Sequence, residues 1–479
     1  MSKKSTPITT HLQHPLPKDP YDPEWPFQNG ITDPVWPEEY PGNVRLKDIQ
    51  DLLEGMIEDN RMRDDFSKED VNALLKDQGV QDTDDLEKRY ASDYAGRVDR
   101  QGFQSIMRAD VRARSRDELK NALRLLTTFA VEEMQKKPSR KHIRVLEPIP
   151  DSYRVTITLG FGATLFVDTT GYDRYGLRDQ KPNFLKVMPS FPGDAPDFDP
   201  AKSTSDLILV ISSDHPYINV AIVRFFAEYF NKRFSENYLD GEAYDVLDFS
   251  EDVGEGFSRK DKREYLKFDD GIDNVHSIDD LMRLIYVDES DNEPAWCLDG
   301  SYLVYRKIRE NMPIWEAFHD KEQSSMIGRD KATSLPLSRQ KEGPDQMTPV
   351  YPDPLDPLDG PLNAHIRKVQ PRRPTKDLFG LDDKERRFLR RPYPFFEGLD
   401  ENGQAVNGLH FIAFMESIQQ QFEHVVNMWQ MNPHFPEEGI GPDVLYDSGV
   451  LSTVDGGYYF CPPGLKNKDD FFGSAMFVD

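Results

Sequence analysis

The sequence predicts an α+β protein built as two ferredoxin-like halves, each an antiparallel sheet with peripheral helices. Two observations lead there. Between residues 100 and 250 the signals run strand, helix, strand, strand, helix, and a second alternation follows between residues 291 and 435. The 251–290 stretch between them is a connecting segment, and clefts between halves are where cofactor sites tend to lie.

In the first half, Phe103–Val111 is strand-like. Ser115-Arg116-Asp117-Glu118 opens a helix as a capping box, serine followed three residues later by glutamate, and Leu119, Leu123, Leu126, Phe129 and Val131 follow at loosely helical spacing. Tyr153–Phe161 alternates and is rich in β-branched residues, so it reads as a strand. Asp206–Ser212 is an unbroken apolar run, a strand buried on both faces. A helix follows from Pro216 to Lys232 with proline in its first turn. In the second half, Trp296–Arg306 and Gly408–Phe414 read as strands, and Pro313–Phe318 and Glu416–Met431 as a helix start and a helix. Between them, Gly343–Pro361 holds six prolines and must be a loop.

Outside the halves, residues 1–43 form a proline-rich arm. Nine prolines before residue 42 forbid a helix, and the interleaved Trp25, Phe27 and Trp36 favour packing on a globular body. Residues 44–99 form a helical extension, with Leu46, Ile49, Leu52, Leu53 and Met56 on one stripe and a second short helix, Asp70–Lys76, that Ser67 could cap. Residues 436–479 read as a tail, and Phe471–Met476 is suggestive of a docking peptide.

Composition narrows the function. The net charge of −26 argues against nucleic-acid and anionic-membrane partners. Two cysteines among 479 residues exclude a disulfide scaffold and a cysteine-based metal site, and suit a reducing compartment. With no apolar run long enough to span a bilayer and no apolar stretch behind Lys3-Lys4, the expectation is a cytoplasmic protein. An assembly of identical copies stays open.

One connecting stretch draws attention: Leu266-Lys267-Phe268-Asp269-Asp270-Gly271-Ile272-Asp273-Asn274. Gly271 lets the chain turn sharply and aim a neighbouring carboxylate, although adjacent Asp and Gly residues also make ordinary surface turns. Side chains alternate along an extended chain, so Asp269 is expected to face away from Asp270.

Several segments, taken in order, resemble the dye-decolorising (DyP-type) haem peroxidases. They are Gly160-Phe161-Gly162, Pro189–Asp194, Gly256-Phe257 with Leu266–Asn274, Asp299–Arg309 with Trp315, Gln323 and Ile327-Gly328-Arg329, Ala364-His365-Ile366-Arg367 and Phe388–Arg391. The resemblance covers about residues 100–430. It implies haem b (iron protoporphyrin IX) held between sheet and helices of the C-terminal half, with hydrogen peroxide and a bulky phenolic or dye-like reductant as substrates. It also implies His365 as proximal iron ligand, Asp270 as distal acid–base group and Arg390 as the cation beside the departing oxygen. Ten Lys/Arg against four Asp/Glu between residues 367 and 391 make Arg367 or a neighbour a partner for a haem propionate. Glu416 and Glu423 are candidates for orienting His365. Two positions depart from the family pattern: Lys267 stands where a glycine is expected, and Arg391-Pro392 follow Arg390 without a nearby asparagine. The alternative reading is a haem carrier, or a non-catalytic scaffold of the same fold with a lapsed site.

Overall fold

The structure, a computed structural model, describes residues 20–21, 26–32, 101–136, 153–230, 246–258, 263–272, 274–275, 278–337, 341–342, 348–349, 361–371, 376 and 380–478. The expected helices of residues 44–99, Trp25, Trp36 and nearly all of the 343–361 loop lie outside the described residues.

The first half contributes β1 (Phe103–Val111), α1 (Arg116–Gln135), β2 (Thr156–Gly162), β3 (Leu207–Ser213), α2 (Pro216–Phe230), β4 (Leu247–Phe249) and β5 (Gly254–Phe257). After α3 (Ile278–Ile285) the second half contributes β6 (Ser301–Glu310), α4 (Met312–Glu316) and α5 (Asp320–Ile327). The small hairpin β7 (Lys341–Glu342) and β8 (Thr348–Pro349) comes next, then α6 (His365–Val369), β9 (Leu389–Arg390), β10 (Tyr393–Leu399) and β11 (Ala405–Met415). Two consecutive π-helical turns follow (Ile418–Glu423 and Val425–Gln430), and the fold ends on α7 (Val444–Asp447) and β12 (Leu451–Cys461).

One antiparallel sheet runs β10-β11-β6-β12-β2-β3-β1-β4, with β5 on β1 and β9 on β11. Each half is a β-α-β-β-α-β unit whose fourth strand lies beside its first: β2-β3-β1-β4 in one, β10-β11-β6-β12 in the other. The halves join where β12 pairs β2.

Local sequence explains the elements. Ser115 Oγ accepts the Glu118 N–H at 3.1 Å while Glu118 reaches back to the Arg114 N–H, closing the start of α1. β3 is buried on both faces: Leu207, Leu209 and Ile211 join the larger core, Ile208 and Val210 the smaller one beyond the sheet.

Three expectations change. The strand expected from Trp296 starts at Ser301, because Asp299 adopts a left-handed φ of 63° and Trp296 sits in a tight 3₁₀ turn before it. The expected helix 416–431 is wound as the two π turns, capped by Ser417. The 436–479 stretch is no tail. It supplies β12, which pairs with both β6 and β2, and Phe471, Phe472, Met476 and Phe477 are buried in the main core rather than presented for docking.

Residues 26–32 of the arm lie against the body. Phe27 stacks on Tyr286 with ring centroids 3.8 Å apart, Gln28 donates to the Leu159 and Pro462 carbonyls at 3.0 Å, and Arg391 donates to the Gly30 and Ile31 carbonyls.

Candidate active site

The second half encloses a cavity of about 250 Å³. Its sheet wall comes from strand alternation. Tyr302 and Val304 of β6 point into the main core, and the same face continues into the cavity as Arg306, Ile308 and Glu310. Leu409 and Phe411 of β11 lie beside them, and Phe422, Val425 and Val426 of the π turns face them. Segment 264–272, the start of α6 and residues 386–390 complete the lining. His365, Asp270 and Arg390 all border this space, although 95 and 25 residues of chain separate them in turn (365 − 270 and 390 − 365).

His365 is the first residue of α6, and its Nδ1 lies 2.6 Å from Asp443 Oδ2. Asp443 is fully buried and also accepts the Leu445 N–H at 3.1 Å and the Gln430 side-chain N–H at 3.2 Å. An Nδ1–H donated to this carboxylate sets the ring tautomer and leaves the Nε2 lone pair for a metal. One turn on, Lys368 Nζ donates to the carbonyls of Asn432, Phe435 and Gly441 at 2.8, 2.6 and 3.0 Å, tying α6 to the loop that presents Asp443. Burial pulls this amine down to about 8.

Across the cavity, the Asp270 turn is fastened to Arg390. Asn274 accepts the Arg390 N–H at 3.0 Å and donates to the Arg390 carbonyl at 2.8 Å. The Arg390 guanidinium donates to the Ile272 carbonyl at 3.0 Å. Gly271 has φ 82°, and its N–H caps Asp270 Oδ1 at 2.7 Å. Asp269 borders the cavity as well, contrary to the expectation that it faces away, but its carboxylate is paired with Arg263 at 3.0 Å. Lys267 holds a left-handed φ of 71° and closes the turn through its N–H to the Glu264 carbonyl at 3.0 Å. It does not line the cavity, and its charge acts on exposed Asp320.

Arg367 is 1% exposed and is not part of the cavity lining. Each residue of a helix turns the chain by about 100°, so a residue two places after His365 points to the opposite side of α6. The arginines on the cavity are instead Arg306, Arg329, Arg386, Arg387 and Arg390. Neither expected orienting glutamate meets His365: Glu423 bonds Lys186 and Tyr458, and Glu416 sits among the carboxylates Asp288 and Asp291. Asp443, Asn274 and Glu310 were not legible as site residues. Asp443 carried only the weak signal of a helix-capping Asp after Gly441-Pro442.

Family models for the N-terminal and C-terminal parts of Dyp-type peroxidases match residues 98–235 and 261–466. The second match takes in β12 and Asp443. A deferrochelatase from Escherichia coli (strain K12) is 29% identical over 329 residues, 68% of this chain and 69% of that protein. A DyP-type peroxidase from Cellulomonas bogoriensis superposes with a TM-score of 0.60 at 22% identity, over 79% of this chain and 94% of the other. A variant of DypB from Rhodococcus jostii RHA1, in complex with heme, gives 0.50 at 17% identity over 77% and 94%.

Proposed function

The chain belongs to the Dyp-type peroxidase family, and from that premise we propose a haem-dependent peroxidase that reduces hydrogen peroxide and oxidises bulky phenolic or dye-like compounds. The observation that carries the reading is one cavity bordered by His365, whose ring is held by Asp443, and by the Asp270 turn clamped to Arg390.

The donor set fits haem. The walls are largely apolar, the His365 imidazole can offer a ring nitrogen to iron, and several arginines border the space as cations suited to propionates. Bound there, haem would supply the redox-active iron needed for peroxide reduction and for oxidation of the organic reductant. His365 would hold the iron through Nε2, with Asp443 orienting the ring and raising its basicity. Asp270 takes a proton from one peroxide oxygen and returns it to the other. Arg390 stabilises the charge developing on the departing oxygen, its backbone held by Asn274 and its side chain by the Ile272 carbonyl. Arg329 and Arg386 border the cavity where Arg367 does not, which favours them as propionate partners.

No helix among the described residues is long and apolar enough to cross a membrane. Both cysteines are buried free thiols, as a reducing compartment allows, and this supports placing the protein in the cytoplasm. The test of the function is an absorption spectrum of protein expressed with adequate haem, before and after one equivalent of peroxide. A Soret band that changes with peroxide is expected. No Soret band removes haem from the proposal, and a band inert to peroxide leaves a carrier. Unchanged turnover in Asp270→Ala with Arg390→Leu would refute the distal assignment.

A further inference from the structure

One ionisable group on the cavity wall has no part in the peroxidase reading. Glu310 ends β6, two residues beyond Ile308 and four beyond Arg306, so all three share the cavity face. It is 3% exposed, and its Oε2 has no hydrogen-bond partner among the described residues. A carboxylate so placed would be a desolvated charge lacking compensation, whereas a neutral acid carries an O–H that can donate.

The surroundings favour the neutral form. Burial acts first, then the carboxylates of Glu264 and Asp270, and together they push Glu310 well above the usual carboxyl range. The other charged groups bordering the cavity bond partners other than Glu310. Arg306 pairs with Asp194, His365 with Asp443, Asp269 with Arg263 and Arg387 with Asp280. Arg329, Arg386 and Arg390 donate to the carbonyls of Ser334, Gln420 and Ile272, and Asp383 is buried at the start of a separate 3₁₀ turn.

We infer that Glu310 is a second working carboxyl of this cavity, a neutral acid whose O–H donates to an anionic or oxygen-bearing ligand beside the accepting Asp270. The inference rests on the haem reading, and it gives the site a paired donor and acceptor from two carboxyl groups with different environments.

The test compares full-length, haem-loaded wild type with Glu310→Gln and Glu310→Leu. Fluoride binding to the ferric protein is followed optically, because fluoride accepts a hydrogen bond and undergoes no turnover. Glu310→Leu is expected to weaken fluoride by roughly tenfold, the worth of one hydrogen bond, and Glu310→Gln, which keeps an N–H donor, by roughly threefold or less. A wild-type-minus-Glu310→Gln infrared difference spectrum, which needs no haem, should show the carbonyl stretch of a protonated carboxyl. Fluoride affinity unchanged in Glu310→Leu at equal haem content overturns the donor role, and a missing protonated-carboxyl band overturns the neutral acid. Failure of all variants and wild type to bind haem strikes the haem reading instead, and the infrared arm still decides the state of Glu310.

Discussion

The two halves follow one chain path but use the helix-facing side of their first strands differently. In the N-terminal half, β1 presents Met107, Ala109 and Val111, and α1 and α2 close on them with Leu119, Leu123, Leu126, Ile222 and Phe226 into continuous core. In the C-terminal half the counterpart strand β6 begins the same way, with Tyr302 and Val304 in that core, then presents Arg306, Ile308 and Glu310 to the cavity. Helices can seal over methyl groups, but sealing over a guanidinium and a carboxyl means desolvating both. The change from apolar to ionisable side chains along one strand marks where packing gives way to a site.

The sharpest way to break the comparison is to remove what the cavity has and the core lacks. His365→Ala is expected to abolish stoichiometric haem binding, read as loss of the Soret band. Asp443→Asn should bind haem but weaken retention of the metal by roughly 10–100-fold, as loss of an orienting partner does. The next effect concerns stability. Arg306 and Asp194 form an ion pair with side-chain exposures of 4% and 6%. Asp194→Ala strands the guanidinium and should cost about 3–5 kcal/mol in chemical denaturation. Arg306→Met with Asp194→Leu imitates the first half and should come out near neutral, at the expense of the cavity wall.

A third prediction uses pH. Burial, with Asp291 and Asp288 nearby, raises Glu416 to about 8. An unfolded glutamate ionises near 4.5, so between about pH 4.5 and 8 the folded protein binds the extra proton. Stability conferred by the neutral form is complete below that window and declines as pH rises through it. Glu416→Gln should flatten this part of the stability–pH curve and add a few kcal/mol at neutral pH. An unchanged slope would mean that Glu416 is ionised in the native state.

What was legible in the sequence follows the same division. β1, β3 and β11 announced themselves because period-two and all-apolar patterns are local. β12 did not, since Asp455-Gly456-Gly457 reads as a turn. Yet a Cβ on Gly456 would sit 2.6 Å from the Tyr305 carbonyl, so the glycine lets two strands approach. Asp270, His365 and Arg390 could be named only through resemblance to a family. Asp443 stayed hidden because its partner lies 78 residues away, at the start of α6, a contact that no spacing rule encodes. Arg367 lies off the cavity lining for a related reason: a basic run gives the charge of a region, while helix geometry decides which member faces the cavity.

The smallest effect sits at the turn that presents Asp270. Lys267 occupies a left-handed backbone position, where an L side chain costs about 1–2 kcal/mol and glycine costs little. The turn nevertheless closes, held by the Lys267 N–H to Glu264 and by Arg263 donating to the Lys267 carbonyl at 2.7 Å. The lysine therefore strains the turn without dismantling it, and its charge lies toward Asp320 rather than the cavity. Lys267→Gly should raise stability by about 1 kcal/mol, once the greater flexibility of unfolded glycine is set against the relieved strain. Peroxide reactivity should stay within about twofold, because a change of about 0.4 kcal/mol or less at the barrier is all that a remote turn residue should transmit. A large gain in reactivity would show that the strained turn displaces Asp270, making the C-terminal half a site detuned by its own backbone.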